Sequence, residues 1–473
     1  MQPNLTRQSK TKALSNGGRR RLMLAYGLGD AGTGLAASQL GFYLFAFFTS
    51  AAGLPAFIAG SLLMVIKIWD AINDPLIGWL SDHTKSKWGP RLPWMIVGSV
   101  PLGISLAAIW WVPSGGTSEK VLYYVGIALL LMTAYTSVNL PFAALATEIT
   151  EETSIRTRLN AARFTGSILA SLSGLVVAAW LLSSGNNGFV QMGRITGLIA
   201  TFATLVSCWG LAPFAKKARK PRLHAEPLNL QIKRIFNNNR FIKIICLYLM
   251  LWCSLQLMQT VSLIYLEQVI NVPNQISKWI PIPFQINALI GLQYWSFFSN
   301  RHGRIKALSK GVFIWIIACL ILTFFPPLKA GMSMDILLNF STLESFKIAF
   351  LIIIIMLLGF GASTAYLIPW SLLPDAIDAD PDKPAGIYTA WMVLVQKIGI
   401  GLSIQLLGLL LSFAGYKSSN NCIDLVNCSE QSASALITIR ICMGIIPSLL
   451  TALGLLIMKN WVGIKPNNLI KTT

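Results

Sequence analysis

Lys67-Ile-Trp-Asp-Ala-Ile-Asn-Asp-Pro75 lies inside an apolar run that extends from Leu54 to Trp79. The stretch holds one amine, Lys67, and two carboxylates, Asp70 and Asp74. Their spacing, three and then four residues, puts all three on one face of a helix. If the run crosses a membrane, each charge near its centre costs about 2.5–3.5 kcal/mol on an insertion scale. Such groups are tolerated where they face the protein interior and act on one another.

The surrounding sequence is that of a membrane protein. Of 473 residues, 54% are hydrophobic and 12% are charged, against about 25% charged in a soluble domain. Apolar runs of about 20 residues, long enough to cross a bilayer core, recur along the chain. Twelve spans are predicted, at 23–49, 55–80, 93–113, 121–147, 160–183, 192–214, 241–267, 277–299, 308–326, 346–373, 386–415 and 434–459. The short alternating segments of a closed barrel are absent. The expected fold is therefore an all-α integral membrane protein of twelve transmembrane helices in two six-helix halves. The halves are 23–214 and 241–459, with an N-terminal tail at 1–22 and a C-terminal tail at 460–473. They are joined by a polar, basic linker at 215–240 that contains Pro221 and Pro227.

The formal net charge is +20, and its placement matters more than its size. Basic clusters occupy alternate connections: Arg7 to Arg21, Lys85 to Arg91, Arg156 to Arg163, Lys216 to Arg240 and Arg301 to Lys310. This positive-inside pattern predicts a multi-pass protein of the plasma (cell inner) membrane with both termini in the cytoplasm. Basic clusters that adjoin spans face the lipid bilayer surface, so no nucleic-acid partner is expected. Cys208, Cys246, Cys253, Cys319 and Cys442 fall in apolar runs as small core residues. Cys422 and Cys428 share a polar loop predicted to face outward, where a disulfide and two free thiols are both open readings. The N-terminus carries no secretory leader pattern. The three histidines, His83, His224 and His302, lie in cytoplasmic segments. No nucleophile or metal cluster is visible, so neither an enzyme nor a resident cofactor is expected.

Two basic turns echo one another. Gly78 to Arg91 follows the second span, and Ser299 to Lys306 follows the eighth. Related halves with a solute site between them are a transporter design. Further polar groups lie within the spans. Asp30 sits in the first. Thr136 and Asn139 precede Pro141 in the fourth, where they can satisfy backbone freed by the proline. Arg163 begins the fifth, either snorkelling or offering its planar fork to a solute. Tyr366 lies in the small-residue stretch Gly359 to Trp370. Lys397 lies well inside the eleventh span and needs a carboxylate partner, Asp70 or Asp74. The acidic cluster Asp375, Asp378, Asp380 and Asp382 is expected to pair with basic loops of the other half. With Asp82, Arg91 and Arg301 it would form a cytoplasmic gate.

The Lys67–Pro75 motif, followed by Gly78-Trp79 and by Lys87-Trp88-Gly89, resembles the glycoside–pentoside–hexuronide:cation symporters of the major facilitator superfamily. The resemblance covers essentially all twelve spans. It implies alternating-access symport of a sugar or glycoside with Na+ or H+. It also implies a cation site at Asp70 and Asp74, with Asn73, Thr136 and Asn139 nearby and Lys67 and Lys397 as charge partners. Asp30, Asn139, Arg163, Tyr366 and Lys397 are the expected solute-binding set. Three positions depart from the family pattern: Gly34 and Asn139 stand where carboxylates are expected, and Ala143 where an aromatic is. They open the choice between Na+ and H+ and between a galactoside and another solute. Related members carry lysophospholipids, so a lysophospholipid or organic acid is the alternative cargo. The protein is expected to act as a monomer.

Overall fold

The computed structural model describes residues 16–150, 152–184, 187–216, 227–329, 342–382, 385–418 and 431–459. Cys422, Cys428, His224, most of the N-terminal tail and the whole C-terminal tail lie outside these residues. All regular structure among the described residues is helical. Helices α1 (Asn16–Gly29) and α2 (Ala31–Ala46) form one span interrupted at Asp30, followed by α3 (Ala56–His83), α4 (Leu92–Ala108), α5 (Thr117–Ile149), α6 (Thr153–Ser183) and α7 (Gly188–Ala215). A short helix α8 (Leu228–Asn237) in the linker leads to α9 (Asn239–Ile264), α10 (Asn274–Ser277), α11 (Pro281–His302), α12 (Arg304–Phe324), α13 (Leu343–Ile377) and α14 (Ala385–Phe413). The last span is α15 (Ala433–Arg440) and α16 (Ile446–Ile457), joined by a π-turn. Ten of these helical stretches are long and apolar enough to cross a bilayer. Of the other two predicted spans, α4 is shorter, and α11 is diluted by Gln285, Asn287 and Gln293.

Helices α1 to α7 pack mainly on one another, as do α9 to α16. The two groups meet along α3 against α14 and along α2 against α9. Glycines set the closest approaches, as expected where backbones must touch without a hydrophobic drive between helices. A Cβ on Gly408 would lie 2.6 Å from the Ala56 carbonyl oxygen and 3.1 Å from the Gly60 Cα. Gly34 is packed against α6 in the same way, because a Cβ there would be 2.5 Å from Ser167 Oγ and 2.7 Å from the Ser167 carbonyl oxygen. The family's carboxylate at this position has no room in this packing.

At the end opposite the linker, the groups share a repeated device. π-turns at Phe47–Ala51 and Tyr265–Val269 close the first spans of the two groups. Each is followed by a residue of positive φ, Gly53 at 69° and Asn271 at 61°. A long-loop bond then runs from Leu54 N to Phe48 O at 2.7 Å and from Val272 N to Leu266 O at 2.8 Å. Pro55 and Pro273 start the next helices. A left-handed residue with such a bond satisfies carbonyls orphaned at a helix end, and the proline prevents continuation. The carbonyls before the left-handed residues are also capped. Lys120 Nζ donates to Ala52 O at 2.9 Å, and Leu328 N donates to Ile270 O at 2.8 Å. The groups are tied together here by Tyr43 Oη donating to Lys278 O at 2.8 Å, Ser183 Oγ to Gln275 O at 3.0 Å and Ser418 Oγ to Gly53 O at 3.3 Å.

The linker end carries a second repeated device, and it corrects the expected gate. Arg91, at the start of α4, pairs with Asp82 and with Glu148 at 2.7 Å, at the end of α5. Arg304, at the start of α12, pairs with Asp375 at 2.7 Å, at the end of α13. Asp375 is thus held within its own group and not by the other. Arg234 of α8 takes Asp380 at 2.7 Å and Asp382 at 2.8 Å. Arg301, expected at the gate, is exposed and lies 4.1 Å above the Phe297 ring. Asp378 caps α13 through its N–H to Pro374 O. Burial raises the Asp380 carboxyl, but the Tyr388 hydroxyl, the Asp382 N–H and Arg234 outweigh it and hold the group below its ordinary value. A depressed carboxyl contributes stability above its unfolded pKa and loses it as pH falls through the folded one, so Asp380 contributes its full share near neutral pH.

Two substitutions test the packing. Gly34→Asp is expected to lower stability by about 1–3 kcal/mol through overpacking, read as a lower melting temperature of the purified protein in detergent. Asn271→Val should cost about 1–2 kcal/mol, because a β-branched residue resists the left-handed region, whereas Asn271→Gly should be neutral or stabilising. Equal melting temperatures for the Val and Gly variants would contradict the equivalence with Gly53.

Candidate functional site

The face of α3 predicted to carry three ionisable groups does carry them, and α14 answers it. Pro75 lies inside α3, where it has no N–H to give and frees a carbonyl one turn earlier. Lys397 Nζ lies 2.5 Å from Asp74 Oδ2 and 3.0 Å from Asp70 Oδ2, and 3.4 Å from the Asp70 carbonyl oxygen. Thr136 Oγ1, from α5, is 3.3 Å from both Asp70 Oδ1 and Asp74 Oδ1. Its single proton serves one of them at a time. The result is an ammonium held by two carboxylates and braced by a hydroxyl, with Asp70 buried and Asp74 partly exposed. An oxygen cage of this kind suits a hard monovalent cation or a proton once the ammonium leaves.

Other residues expected around the cation are placed elsewhere. Asn73 is buried and donates from Nδ2 to Met132 O at 3.3 Å. Asn139 belongs to a separate cluster at the interruption of the first span. There Asp30 accepts from Thr33 Oγ1 at 2.6 Å, from Asn139 Nδ2 at 3.0 Å and from Arg163 Nε at 3.0 Å. Arg163 also reaches Asn139 Oδ1 at 3.4 Å and lies over the Phe142 ring. Gly29 permits this, since a Cβ there would be 2.2 Å from the same ring. Arg163, Asp30 and Asn139 therefore satisfy one another, and none of them lines the central cavity.

That cavity, of about 360 Å³, lies between the two groups of helices. Ser38, Lys67, Asp70 and Tyr135 line it from the first group. Trp252, Gln256, Gln259, Gln285, Tyr366, Gln396 and Lys397 line it from the second. The first group supplies a carboxylate, an ammonium and hydroxyls, and the second supplies four amides, two aromatic faces and one ammonium. Trp252 and Tyr366 meet edge to face at 5.1 Å, and the Trp252 indole N–H is buried without a partner among the described residues. Tyr248 Oη fixes Gln396 by donating to its Oε1 at 2.8 Å. Lys67 has no hydrogen bond or ion pair among the described residues, which departs from its expected role as an ion-pair partner. Gln285 and Tyr135 escaped the sequence reading; the signal for Gln285 was its place among three amides inside a predicted span.

A second, apolar cavity of about 750 Å³ opens on the linker side of the same ion cluster. Pro75, Leu140, Trp391 and Leu394 line it, and Asp74 and Lys397 form its inner end. Lys397 therefore borders both cavities.

The chain matches the family described as MFS/sugar transport protein over residues 25–460. It is 30% identical to an uncharacterised symporter of Synechocystis, over 83% of this chain and 85% of the relative. It is 26% identical to a putative glycoside/cation symporter of Escherichia coli, over 92% and 90% of the two chains. It is 24% identical to a sodium-dependent lysophosphatidylcholine symporter of Gallus gallus, over 92% and 85%. Among solved structures it resembles a nucleoside transporter with a TM-score of 0.69 at 13% identity, covering 93% of this chain and all of that one. An inward-facing bacterial homologue of the lysosomal transporter Spinster gives a TM-score of 0.65 at 13% identity, covering 94% and 96%. These likenesses show a transporter fold of the major facilitator type rather than an enzyme. The helical architecture, the family match along nearly the whole chain and the symporters among its relatives place the protein in the MFS/sugar transport protein family of cation symporters.

Proposed function

We propose that this symporter carries a sugar or glycoside together with Na+ or H+ by alternating access. The observation that carries the reading is Lys397 bridging Asp70 and Asp74 at the wall of the central cavity. An entering cation takes the carboxylates and releases the ammonium toward the cavity. Four amides and two aromatic faces there match the hydrogen bonding and stacking that a sugar requires. Cation and solute then favour the same occluded state, and that shared preference is their coupling energy. The two six-helix halves rock about the loaded site. The linker end faces the cytoplasm, as the basic connections require, and the contacts at the opposite end close the outer side. The Asp30–Arg163 cluster is proposed to open to solute in another conformation.

A lysophospholipid is the second reading, and one observation favours it. The apolar cavity beside Lys397 would hold an acyl chain while the ion cluster met a polar head. Uptake into proteoliposomes, with Na+ and H+ gradients imposed separately, distinguishes the cargoes. Gradient-driven entry of a glycoside but not of lysophosphatidylcholine is the expected result.

Two variants address the ion cluster. Asp70→Ala is expected to abolish cation-driven uptake, and full uptake in this variant would remove Asp70 from the cation site. Lys397→Gln leaves two carboxylates without an ammonium, and an unpaired buried charge is penalised by about 3–5 kcal/mol. The variant should therefore bind its coupling cation roughly tenfold more tightly or better, measured as the cation concentration for half-maximal protection against thermal unfolding, while gradient-driven uptake falls.

A further inference from the structure

Far from the central cavity, α11 and α12 each carry an exposed apolar stripe that ends in a base. Ile286, Ile290, Tyr294 and Phe297 follow one another along one face of α11, and Phe313, Ile317 and Leu320 along one face of α12. At the linker end, Arg301 lies one turn beyond Phe297 with its guanidinium 4.1 Å above that ring. The neighbouring Phe298 ring is stacked on His302 at 4.3 Å and carries Lys310 Nζ of α12 at 4.9 Å. Arg301 and Lys310 therefore rest on adjacent rings where the two helices meet. The charge here is one-sided. Between Glu267 and Asp335 the chain has no Asp or Glu, yet the turn between α11 and α12 holds Arg301, Arg304, Lys306 and Lys310. Arg304 is answered by Asp375 at 2.7 Å. Arg301, Lys306 and Lys310 are exposed and have no ion pair among the described residues. Residues 1–15 and 460–473 contain no Asp or Glu to supply one. An aromatic face orients a cation without neutralising it, so the two ring-seated bases are positioned and still lack an anion.

We infer that the linker end of α11 and α12 is a seat for one anionic phospholipid, with its phosphate between Arg301 and Lys310 and its acyl chains along the two stripes. The guanidinium fork and the ammonium donate charge-assisted hydrogen bonds that a phosphodiester accepts. The stripe from Phe297 back to Ile286 covers about 16 Å of helix, which is one leaflet of a bilayer core about 30 Å thick. The bases thus lie at the depth of a headgroup and the apolar residues at the depth of its chains. A zwitterionic lipid brings its own cation toward Arg301, Lys306 and Lys310 and fits less well. The bound anion offsets a turn of like charges, of which Arg304 alone is matched by a described acid, and steadies the helix pair from which Arg304 reaches Asp375.

The test uses the purified full-length protein in detergent, with palmitoyl-oleoyl phosphatidylglycerol, phosphatidylcholine of the same chains and glycerol 3-phosphate as probes. Bound lipid is counted by native mass spectrometry, and its effect is read as a shift in melting temperature. Phosphatidylglycerol is expected to add a tightly held molecule and to raise the melting temperature more than phosphatidylcholine does. The double variant Arg301→Gln, Lys310→Gln should weaken that binding at least about tenfold. The charge-preserving pair Arg301→Lys, Lys310→Arg should retain it, which separates loss of the anion seat from loss of the fold. Lys85→Gln with Lys87→Gln, both exposed in the corresponding turn of the first group, should leave it unchanged. Equal losses from the two Gln pairs would reveal diffuse attraction to a basic surface and overturn the seat. Equal binding of phosphatidylcholine by the unaltered protein would overturn it as well, without recourse to any variant. A shift with glycerol 3-phosphate as large as with the lipid would mean an ion site without acyl chains, and would also sink it.

Discussion

Everything near the centre of this protein answers to one constraint: two carboxylates and two amines lie where water is scarce. A buried charge is tolerated when it is paired and hydrogen-bonded. Lys397 meets the requirement for Asp70 and Asp74 together, and Thr136 adds a hydroxyl between them. This arrangement dictates the contact of α3 with α14, the broadest between the two groups of helices. The glycines along that contact, Gly60, Gly401 and Gly408, let the backbones approach closely enough for the ammonium to reach. Packing and electrostatics are therefore one design here, since a larger residue on either helix would separate the charges as well as the helices.

The same economy appears at both ends of the bundle, in duplicate. Gly53 and Asn271 turn the chain identically at one end, and Arg91–Glu148 and Arg304–Asp375 brace the other. The linker-end pairs stay within their own groups and leave room for the apolar cavity between α3, α5 and α14. The opposite end is stitched across the groups by hydrogen bonds from Tyr43, Ser183 and Ser418. The central asymmetry is set against this repetition. The acidic group comes from the first group and the amides from the second, so acidic and amide groups occupy different walls of one space.

Two of the three departures from the pattern of the resembled family, Gly34 and Asn139, share a physical basis. Gly34 is a close contact with Ser167, and a side chain there collides with α6. The carboxylate appears one turn earlier, at Asp30, where the interrupted helix gives it Thr33, Asn139 and Arg163 as partners. Asn139 as an amide both donates to Asp30 and accepts from Arg163. A carboxylate could not donate that first bond, and it would add a repulsive charge beside Asp30. The set is self-consistent as it stands.

Much of this was legible in the residues alone. Apolar runs of bilayer length marked the spans, and the helical spacing of Lys67, Asp70 and Asp74 placed them together on one face. A lone intramembrane lysine demanded an acid, which pointed from Lys397 to α3. These are local rules, and they hold wherever the chain goes. Tertiary structure decided what depends on contacts between distant segments. It sent Asn139 to Asp30 rather than to the cation pair and turned Asn73 toward Met132. It left Lys67 facing the cavity and gave Asp375 to Arg304 of its own group instead of a basic loop of the other half. A carboxylate accepts equally well from any donor that reaches it, so composition and spacing cannot rank its partners; only the distances between packed helices do.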